Sequence, residues 1–279
     1  MAIITLTTDF GTDDWFVGTM KGVILGIHPS AHIVDLNHQI PPGSVLAGAF
    51  SLSASHAFFP KGTIHVAVVD PGVGSGRSAI LVQTSMFYFV GPDNGVLSLA
   101  LEGQRIRQIR RLENPKWFRR EVSHTFHGRD VFAPVAAHMS RGVACHKFGH
   151  PVSQTTSIRL PETRRDSHGI LGEIVYLDRF GNAITNITSA EVQEAKLTSV
   201  RIASRGCRGI PIGSHYQSVA AGKPVALIGS TGRLEIAIHG GSAVKALRLG
   251  FGDAIRAFAS RNRDLPQPVP GLTKRRTPR

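Results

Sequence analysis

Hydrophobic positions follow two different rhythms along this chain. Up to about residue 140, short apolar and β-branched runs alternate with stretches in which apolar residues recur every three or four positions. Residues 2–8, 32–36 and 63–69 have the first pattern and read as strands. After Gly11 the second pattern begins. Thr12 suits a helix cap, Asp13 and Asp14 suit the positive end of the dipole, and Trp15, Phe16, Met20, Val23, Ile24 and Ile27 form an apolar face that stops at His28-Pro29. Residues 44–58 carry another such face, with Val45, Leu46, Ala49, Phe50 and Leu52. This strand–helix order predicts an α/β domain with a mostly parallel central sheet flanked by helices. Further strands are expected at 79–84, 86–90 and 106–112. A short helix is expected at 96–101 and a longer one at 131–139.

The rhythm changes after a polar stretch from Leu160 to Ser167. Runs at 170–177, 184–187, 200–203, 225–228, 234–238 and 246–249 are short and separated by glycine-rich turns. Six short strands at that spacing predict a smaller all-β domain, an antiparallel barrel. The expected organisation is an α/β domain over 1–160, a linker over 161–168, the barrel over 169–260 and a basic disordered tail over 261–279.

Composition narrows the class. Of 279 residues, 42% are hydrophobic and 18% charged, as in a globular and not a disordered chain. No run of 18 apolar residues appears, so no membrane span is expected. The N-terminus enters a strand with no basic leader, and Cys145 and Cys207 are too few for a disulfide framework or a thiolate metal site. A cytoplasmic location follows as an expectation. The net charge of +13 raises a nucleic-acid partner. The basic residues are dispersed, however, over 105–120 and the Pro-rich tail, with no accompanying DNA- or RNA-binding signature. Solvated surface is the better reading.

Acidic residues are scarce, 19 in all, so those beside glycine loops carry more information. The buried run Ile64 to Val69 ends at Asp70-Pro71 and enters Gly72-Val73-Gly74-Ser75-Gly76-Arg77. Proline stops the ladder, and the glycines allow a tight loop. A carboxylate thus stands at the carboxyl end of a strand, where ligands bind in open α/β sheets, with a guanidinium seven residues on. The same spacing also fits a structural Asp–Arg brace. The loop is neither a dinucleotide fingerprint nor a P-loop, because strand follows it and no Gly-Lys-Ser/Thr is present. Asp9 ends its own strand in the same way, placed to accept two hydrogen bonds from a ribose diol or to cap a turn. His127, just before a helix, can orient or deprotonate water, or be an ordinary histidine. His124, His127 and Asp130 lack a metal-binding pattern and a further ligand, so no metal is expected.

In the second half, Asp178-Arg179-Phe180-Gly181-Asn182 offers a stacking face and an amide suited to an adenine edge, or simply hairpin chemistry. Gly229-Ser230-Thr231-Gly232-Arg233-Leu234-Glu235 offers hydroxyls for a carboxylate, or turn residues.

Taken in order, Thr8-Asp9-Phe10-Gly11, Val69-Asp70-Pro71-Gly72-Val73-Gly74, Arg77, Gly91-Pro92-Asp93-Asn94-Gly95, Phe126-His127-Gly128-Arg129-Asp130, Asp178 to Asn182 and Gly229 to Leu234 resemble the S-adenosylmethionine hydrolases, relatives of fluorinating and chlorinating enzymes. The resemblance covers about residues 2–258. It implies an α/β domain followed by a β-barrel, and a homotrimer with each ligand held between subunits. It implies that S-adenosylmethionine is substrate, with no cofactor. It makes Asp70, Arg77 and His127 the catalytic triad and Asp9 the ribose ligand. Asn182, Ile238 and Gly240 become adenine contacts with Phe180 nearby. Asp178 and Ser230 take the amino-acid part, with Thr231 and Glu235 also among the substrate-binding residues. The expected reaction is hydrolysis to adenosine and methionine. The alternatives are a non-catalytic adenosine- or nucleic-acid-binding protein and a halogenase of the same fold. The triad argues against the latter, and so does the absence of the fluorinase's inserted loop after the Gly91–Gly95 region.

Overall fold

The computed structural model describes residues 3–202 and 209–259, so the tail over 261–279, Cys207 and the end of the strand expected at 200–203 lie outside the described residues. The chain divides into two compact units, one up to Leu160 and one from Pro161 on.

The first unit is built on a seven-stranded sheet. Its strands are β1 (Ile3–Thr8), β2 (His32–Asn37), β3 (Ile64–Val68), β4 (Ala79–Thr84), β5 (Tyr88–Pro92), β6 (Ile106–Arg111) and β7 (Pro151–Val152), in the spatial order β2-β1-β3-β5-β4-β6-β7. The sheet is mixed, and the expectation of a mostly parallel one is corrected. Pairs β2–β1, β1–β3 and β3–β5 are parallel, whereas β5–β4, β4–β6 and β6–β7 are antiparallel. The reason is local: only three residues separate β4 from β5, enough for a hairpin and far too few for a crossover. Thr84 closes that hairpin, accepting from the Phe87 N–H at 2.9 Å.

Helix α1 (Phe16–Ile27) follows β1, and α2 (Val45–Ser55) follows β2. The first starts later than its apolar pattern implied. Thr12 does not cap it, and Trp15 is 69% exposed and outside the buried face, which is Val17, Met20 and Ile24. The short helix α3 (Ser98–Leu101) precedes β6. Helix α4 (Ala133–Ser140) begins after a π-helical turn over Gly128–Phe132, so Asp130 lies within that turn and not at a helix start. Pro134 sits in the first turn of α4, where its missing N–H costs nothing. Met20, Ile24, Leu6, Val66, Phe132, Val135 and Phe148 belong to one buried core between the sheet and α1 and α4.

In the second unit every pair of named strands is antiparallel, and the single bridge that joins the sheet's two edges is parallel. Its strands are β8 (Arg164–Asp166), β9 (Gly169–Leu177), β10 (Ala183–Thr188), β11 (Ser199–Ile202), β12 (Ile210–Pro211), β13 (Pro224–Ile228), β14 (Arg233–Ile238) and β15 (Ala254–Phe258). The order is β12-β11-β15-β9-β10-β14-β13, with β8 paired to β9 within the stretch expected as linker. A bridge from Ile212, just past β12, to Ala226 in β13 brings the two edges together, so the sheet is nearly closed. The strand expected at 246–249 is not one. Helix α6 (Ala243–Ala246) and a turn occupy that region, because Ser242 caps the helix by accepting from the Lys245 N–H; the strand pairing with β9 is β15. Helix α5 (Ser189–Glu194), capped by a reciprocal Thr188–Glu191 box, was hidden between two strand patterns. Among the described residues no helix is long and apolar enough to cross a membrane.

One core residue of the first unit titrates. His65 in β3 is fully buried among Phe59, Phe87, Phe89 and His56; Nδ1 lies 2.8 Å from Thr5 Oγ1, and Nε2 has no hydrogen-bond partner. Burial, with His56 adding to it, pushes its pKa down from 6.5 to about 3. The unfolded chain therefore takes up a proton near 6.5 that the folded chain refuses until about 3. Stability contributed by neutral His65 is complete above 6.5 and is lost as pH falls through this window, by about 1.4 kcal/mol per pH unit. Urea titrations between pH 6 and 4 are expected to show a shallower pH dependence for His65→Phe than for wild type by about that slope. Parallel curves would refute it.

Candidate active site

Strands β1 and β3 are adjacent and parallel, with Thr8 opposite Val68. Each runs directly into a loop that begins with a carboxylate, Asp9 in one and Asp70 in the other. The two charges are close enough that Asp70 raises the pKa of Asp9, although burial is the larger cause, opposed by the Gly43 N–H that Asp9 Oδ2 accepts at 2.7 Å. Before Asp70, the Val69 carbonyl accepts from Asn94 Nδ2 at 2.8 Å, which ties the Gly91–Gly95 segment to the end of β3. Gly91 approaches β3 closely as well; a β-carbon there would meet the Ala67 carbonyl oxygen at 2.4 Å.

The loop turns back on itself through Val73 N–H to Asp70 C=O and Ser75 N–H to Gly72 C=O. Gly74 takes φ +75°, and a β-carbon on it would lie 2.2 Å from the His124 carbonyl oxygen. Here the glycine is required on both counts, and its approach brings the loop against the segment that carries His127.

Arg77 then joins the two. Its Nε donates to Asp70 Oδ1 at 2.9 Å, its NH2 donates to Asp70 Oδ2, and the same NH2 donates to His127 Nδ1 at 2.8 Å. Arg77 also lies over the Phe132 ring, 5.6 Å from its centroid. The side chains of Asp70 and Arg77 are only 4% and 11% exposed, so the pair acts in a poorly screened environment. Because arginine has no acceptor, Nδ1 of His127 must be the unprotonated nitrogen, and neutral His127 carries its proton on Nε2. Burial lowers the His127 pKa, and the Arg77 charge adds to this; Asp70 and Asp130 oppose it.

His127 leads into the π-helical turn, which Asp130 anchors. Asp130 is fully buried and accepts from Arg129 Nε at 2.6 Å, Arg129 NH2 at 2.8 Å and the Ser123 N–H at 2.9 Å. Against the penalty of burial, these partners hold its carboxyl below the usual range. That carboxylate is committed to Arg129. Among the described residues no three His, Cys, Asp or Glu side chains are arranged to hold a metal ion. Phe10, Phe16 and Phe126 pack ring on ring, at 5.8, 5.8 and 5.2 Å between centroids, and so join the Asp9 loop, α1 and the His127 segment.

In the second unit, the turn after β9 folds Asn182 back onto Asp178. Oδ1 accepts the Asn182 N–H at 2.8 Å and Oδ2 accepts Asn182 Nδ2 at 2.9 Å. One N–H and the Oδ1 of the buried Asn182 amide remain to pair with a ligand. Phe180 projects from the same turn, 81% exposed. Ser230 and Thr231 form the tip of the β13–β14 turn, and Glu235 follows in β14. Two neighbouring clefts collect these residues. One, of about 520 Å³, is lined by Asp178, Phe180, Ser230, Thr231 and Glu235; the other, of about 470 Å³, by Phe180, Asn182, Ile238 and Gly240. Tyr216 lines both, and the sequence reading missed it. No pattern marked it: it stands in a single 3-10 turn, Tyr216–Ser218, with neither an apolar period nor a motif. Phe132 and Asn94, which hold Arg77 and the end of β3, were likewise read as helix and turn residues.

The structure thus assembles Asp9, Asp70, Arg77 and His127 at one end of the first sheet, and the remaining candidates around two clefts of the second unit. Family models describe the same division: the SAM hydroxide adenosyltransferase N-terminal domain matches residues 4–149, and the corresponding C-terminal domain matches residues 172–256. A protein from Salinispora tropica named (R)-S-adenosyl-L-methionine hydrolase is 36% identical over 92% of this chain and 97% of its own length. One of the same name from Thermus thermophilus is 37% identical over 92% of this chain and 99% of its own. The crystal structure of an uncharacterized conserved protein from Thermotoga maritima superposes with a TM-score of 0.85 at 34% identity, covering 91% of this chain and 99% of that one. With both domain models matched in order and relatives of this identity along nearly its whole length, the chain belongs to the SAM hydroxide adenosyltransferase family.

Proposed function

We propose that the protein hydrolyses S-adenosyl-L-methionine to adenosine and L-methionine. The observation that carries the reading is the Asp70–Arg77–His127 cluster, a set of acceptors and donors suited to water, in a chain 36% identical to a named hydrolase of this substrate. Water attacks C5′ in line with the departing sulfur. The new C–O bond forms as the C–S bond breaks, and methionine leaves as a neutral thioether. One proton is released from the water. The sulfonium needs no acid, so the site's task is to hold and deprotonate water while excluding other nucleophiles.

The tautomer of His127 divides the roles. With Nδ1 occupied by Arg77, His127 presents Nε2–H and orients the water as a donor. Asp70 keeps free lone pairs beyond its two bonds to Arg77 and receives the proton. Arg77 fixes both oxygens of Asp70 and stabilises the developing hydroxide. Asp9 takes the ribose diol, Asn182 with the backbone at Ile238 and Gly240 takes adenine against Phe180, and Asp178, Ser230, Thr231 and Glu235 take the amino-acid part. These two sets act on one substrate in a homotrimer, each site drawing the first unit from one copy and the second from its neighbour. A halide would meet Asp70 poorly, since a carboxylate repels it and offers it no hydrogen to accept.

Incubation in ¹⁸O-water is expected to place the label on the 5′-oxygen of adenosine, with no 5′-halo product when chloride or fluoride is added; unlabelled adenosine would refute direct attack. Arg77→Ala and His127→Ala are each expected to lower turnover by about a hundredfold or more, with adenosine binding retained in calorimetry. Near-normal turnover in both would remove the cluster from the reaction. The pH profile of kcat/KM follows from the sign of the His127 shift. Protonated His127 cannot accept from Arg77, so activity is expected to fall as pH drops through a pKa below the ordinary 6.5; a fall centred at or above 6.5 would contradict this. Mixing Asp9→Ala with Asn182→Ala protein is expected to restore part of the activity, and a fully active monomer on light scattering would exclude the shared site.

A further inference from the structure

One histidine near the candidate site takes no part in the proposed reaction, yet it is buried between two polar side chains. His38 follows β2 and is 5% exposed. Its Nδ1 lies 2.8 Å from the hydroxyl of Thr8, the fully buried last residue of β1. Its Nε2 faces Asp35 Oδ1 at 3.0 Å, an ion-pair distance without hydrogen-bond alignment. Asp35 Oδ2 in turn accepts from Lys21 Nζ of α1 at 2.6 Å. Against the penalty of burial, Lys21 and His38 hold the Asp35 carboxyl below its usual range. Hydroxyl, imidazole and carboxylate stand here in the order of a nucleophilic triad. Thr8 is closed off from solvent, however, and its oxygen already accepts the Phe10 N–H at 3.3 Å, so no substrate reaches it.

What this row of groups does reach is the turn that carries Asp9. An anion beside Nε2 requires a proton on that nitrogen, so in the neutral ring Nδ1 is the acceptor and Thr8 donates to it. The Thr8 lone pairs are then left for the Phe10 N–H, one residue past Asp9. The main chain of His38 grips the same turn, its carbonyl accepting the Gly11 N–H at 2.8 Å. Two more bonds come from the loop that His38 begins. Gln39 Nε2 donates to Thr12 Oγ1 at 3.4 Å, and the Gly43 N–H donates to Asp9 Oδ2 at 2.7 Å. Residues 38–43 thus clasp the chain from Thr8 to Thr12. Gln39 and Gly43 are exposed, so water competes for their bonds; the buried part of the clasp is His38.

We infer that His38 is a positioning residue which, through Thr8 and the Gly11 N–H, holds Asp9 where it meets the ribose diol and so sets a preference for ribonucleosides over 2′-deoxyribonucleosides. The inference rests on the hydrolase reading for the ligand of Asp9. A diol contact is made alike in the ground and transition states, so its loss raises KM and spares kcat. The test uses the full-length protein as wild type, His38→Ala, His38→Asn and Thr8→Val. Calorimetry compares adenosine with 2′-deoxyadenosine, and kcat and KM are measured for S-adenosylmethionine. Wild type is expected to bind adenosine about tenfold or more tighter than 2′-deoxyadenosine. His38→Ala and Thr8→Val are each expected to cut that preference by about fivefold or more and to raise KM, with kcat changed by no more than about twofold. His38→Asn, whose amide oxygen stands close to the place of Nδ1, is expected to keep most of the preference. Thr8→Val changes shape little, so it decides the matter even if His38→Ala fails to fold. A wild type without the preference, a preference unchanged in the variants, equal losses on both nucleosides, or a fall in kcat with KM unmoved would each overturn the assignment. Absence of S-adenosylmethionine turnover in wild type would instead refute the hydrolase reading, and the nucleoside comparison would still decide the role of His38.

Discussion

Arginine can only donate hydrogen bonds, and the first unit is arranged around that restriction. Arg77 spends one edge of its guanidinium on both oxygens of Asp70 and the shared NH2 on His127. Both Asp70 oxygens are thereby fixed in place, and His127 is thereby one tautomer of the neutral ring. No other side chain in the cluster could impose both conditions. Lysine would supply a point charge without the fork, and a neutral amide could accept as readily as donate, leaving the imidazole free to choose.

The rest of the fold supplies the distances. Parallel pairing of β1 with β3 sets Asp9 beside Asp70, and Asn94 fastens the chain just before Asp70. On the other side, Asp130 is held by Arg129 and the Ser123 N–H, so the π-helical turn that carries His127 cannot swing away. π-Helical turns recur at functional sites because they widen a helix locally and re-aim a side chain. The second unit uses a cheaper arrangement. Short hairpin turns display Phe180, Ser230 and Thr231, and a nearly closed sheet makes their positions rigid.

Much of this was legible in the sequence because it depends on local chemistry. Asp70 follows a buried β-branched run and precedes proline, so a strand end with a carboxylate had to be there. Phe180-Gly181-Asn182 had to turn, and Gly181 does take φ +84°. What escaped was set by partners distant in sequence. The hairpin between β4 and β5 reversed half of a sheet whose strands, taken one at a time, fit either direction. Trp15 matched the helical period yet stands just before the helix and largely exposed, its ring touching only the edge of the core at Phe16. Residues 246–249 had a strand-like apolar content, but the Ser242 cap started a helix just before them and β15 took the place beside β9. Tyr216 could not be found at all from the sequence, because its importance lies in the oxygen of Glu235, nineteen positions away.

The approach of Gly74 to the His124 carbonyl has a consequence for how such a protein can change over time. The two segments that carry Arg77 and His127 meet main chain to main chain, with no side chain between them. Their separation is therefore set without the Val73 side chain, and drift at that position leaves the reactive geometry where it was, whereas the Ser75 hydroxyl braces the loop by donating to the Gly72 carbonyl. Position 74 itself is barred from gaining any side chain. A site whose spacing is held this way can accumulate surface variation without losing its chemistry, and its sequence record should be a single invariant glycine among neighbours that wander.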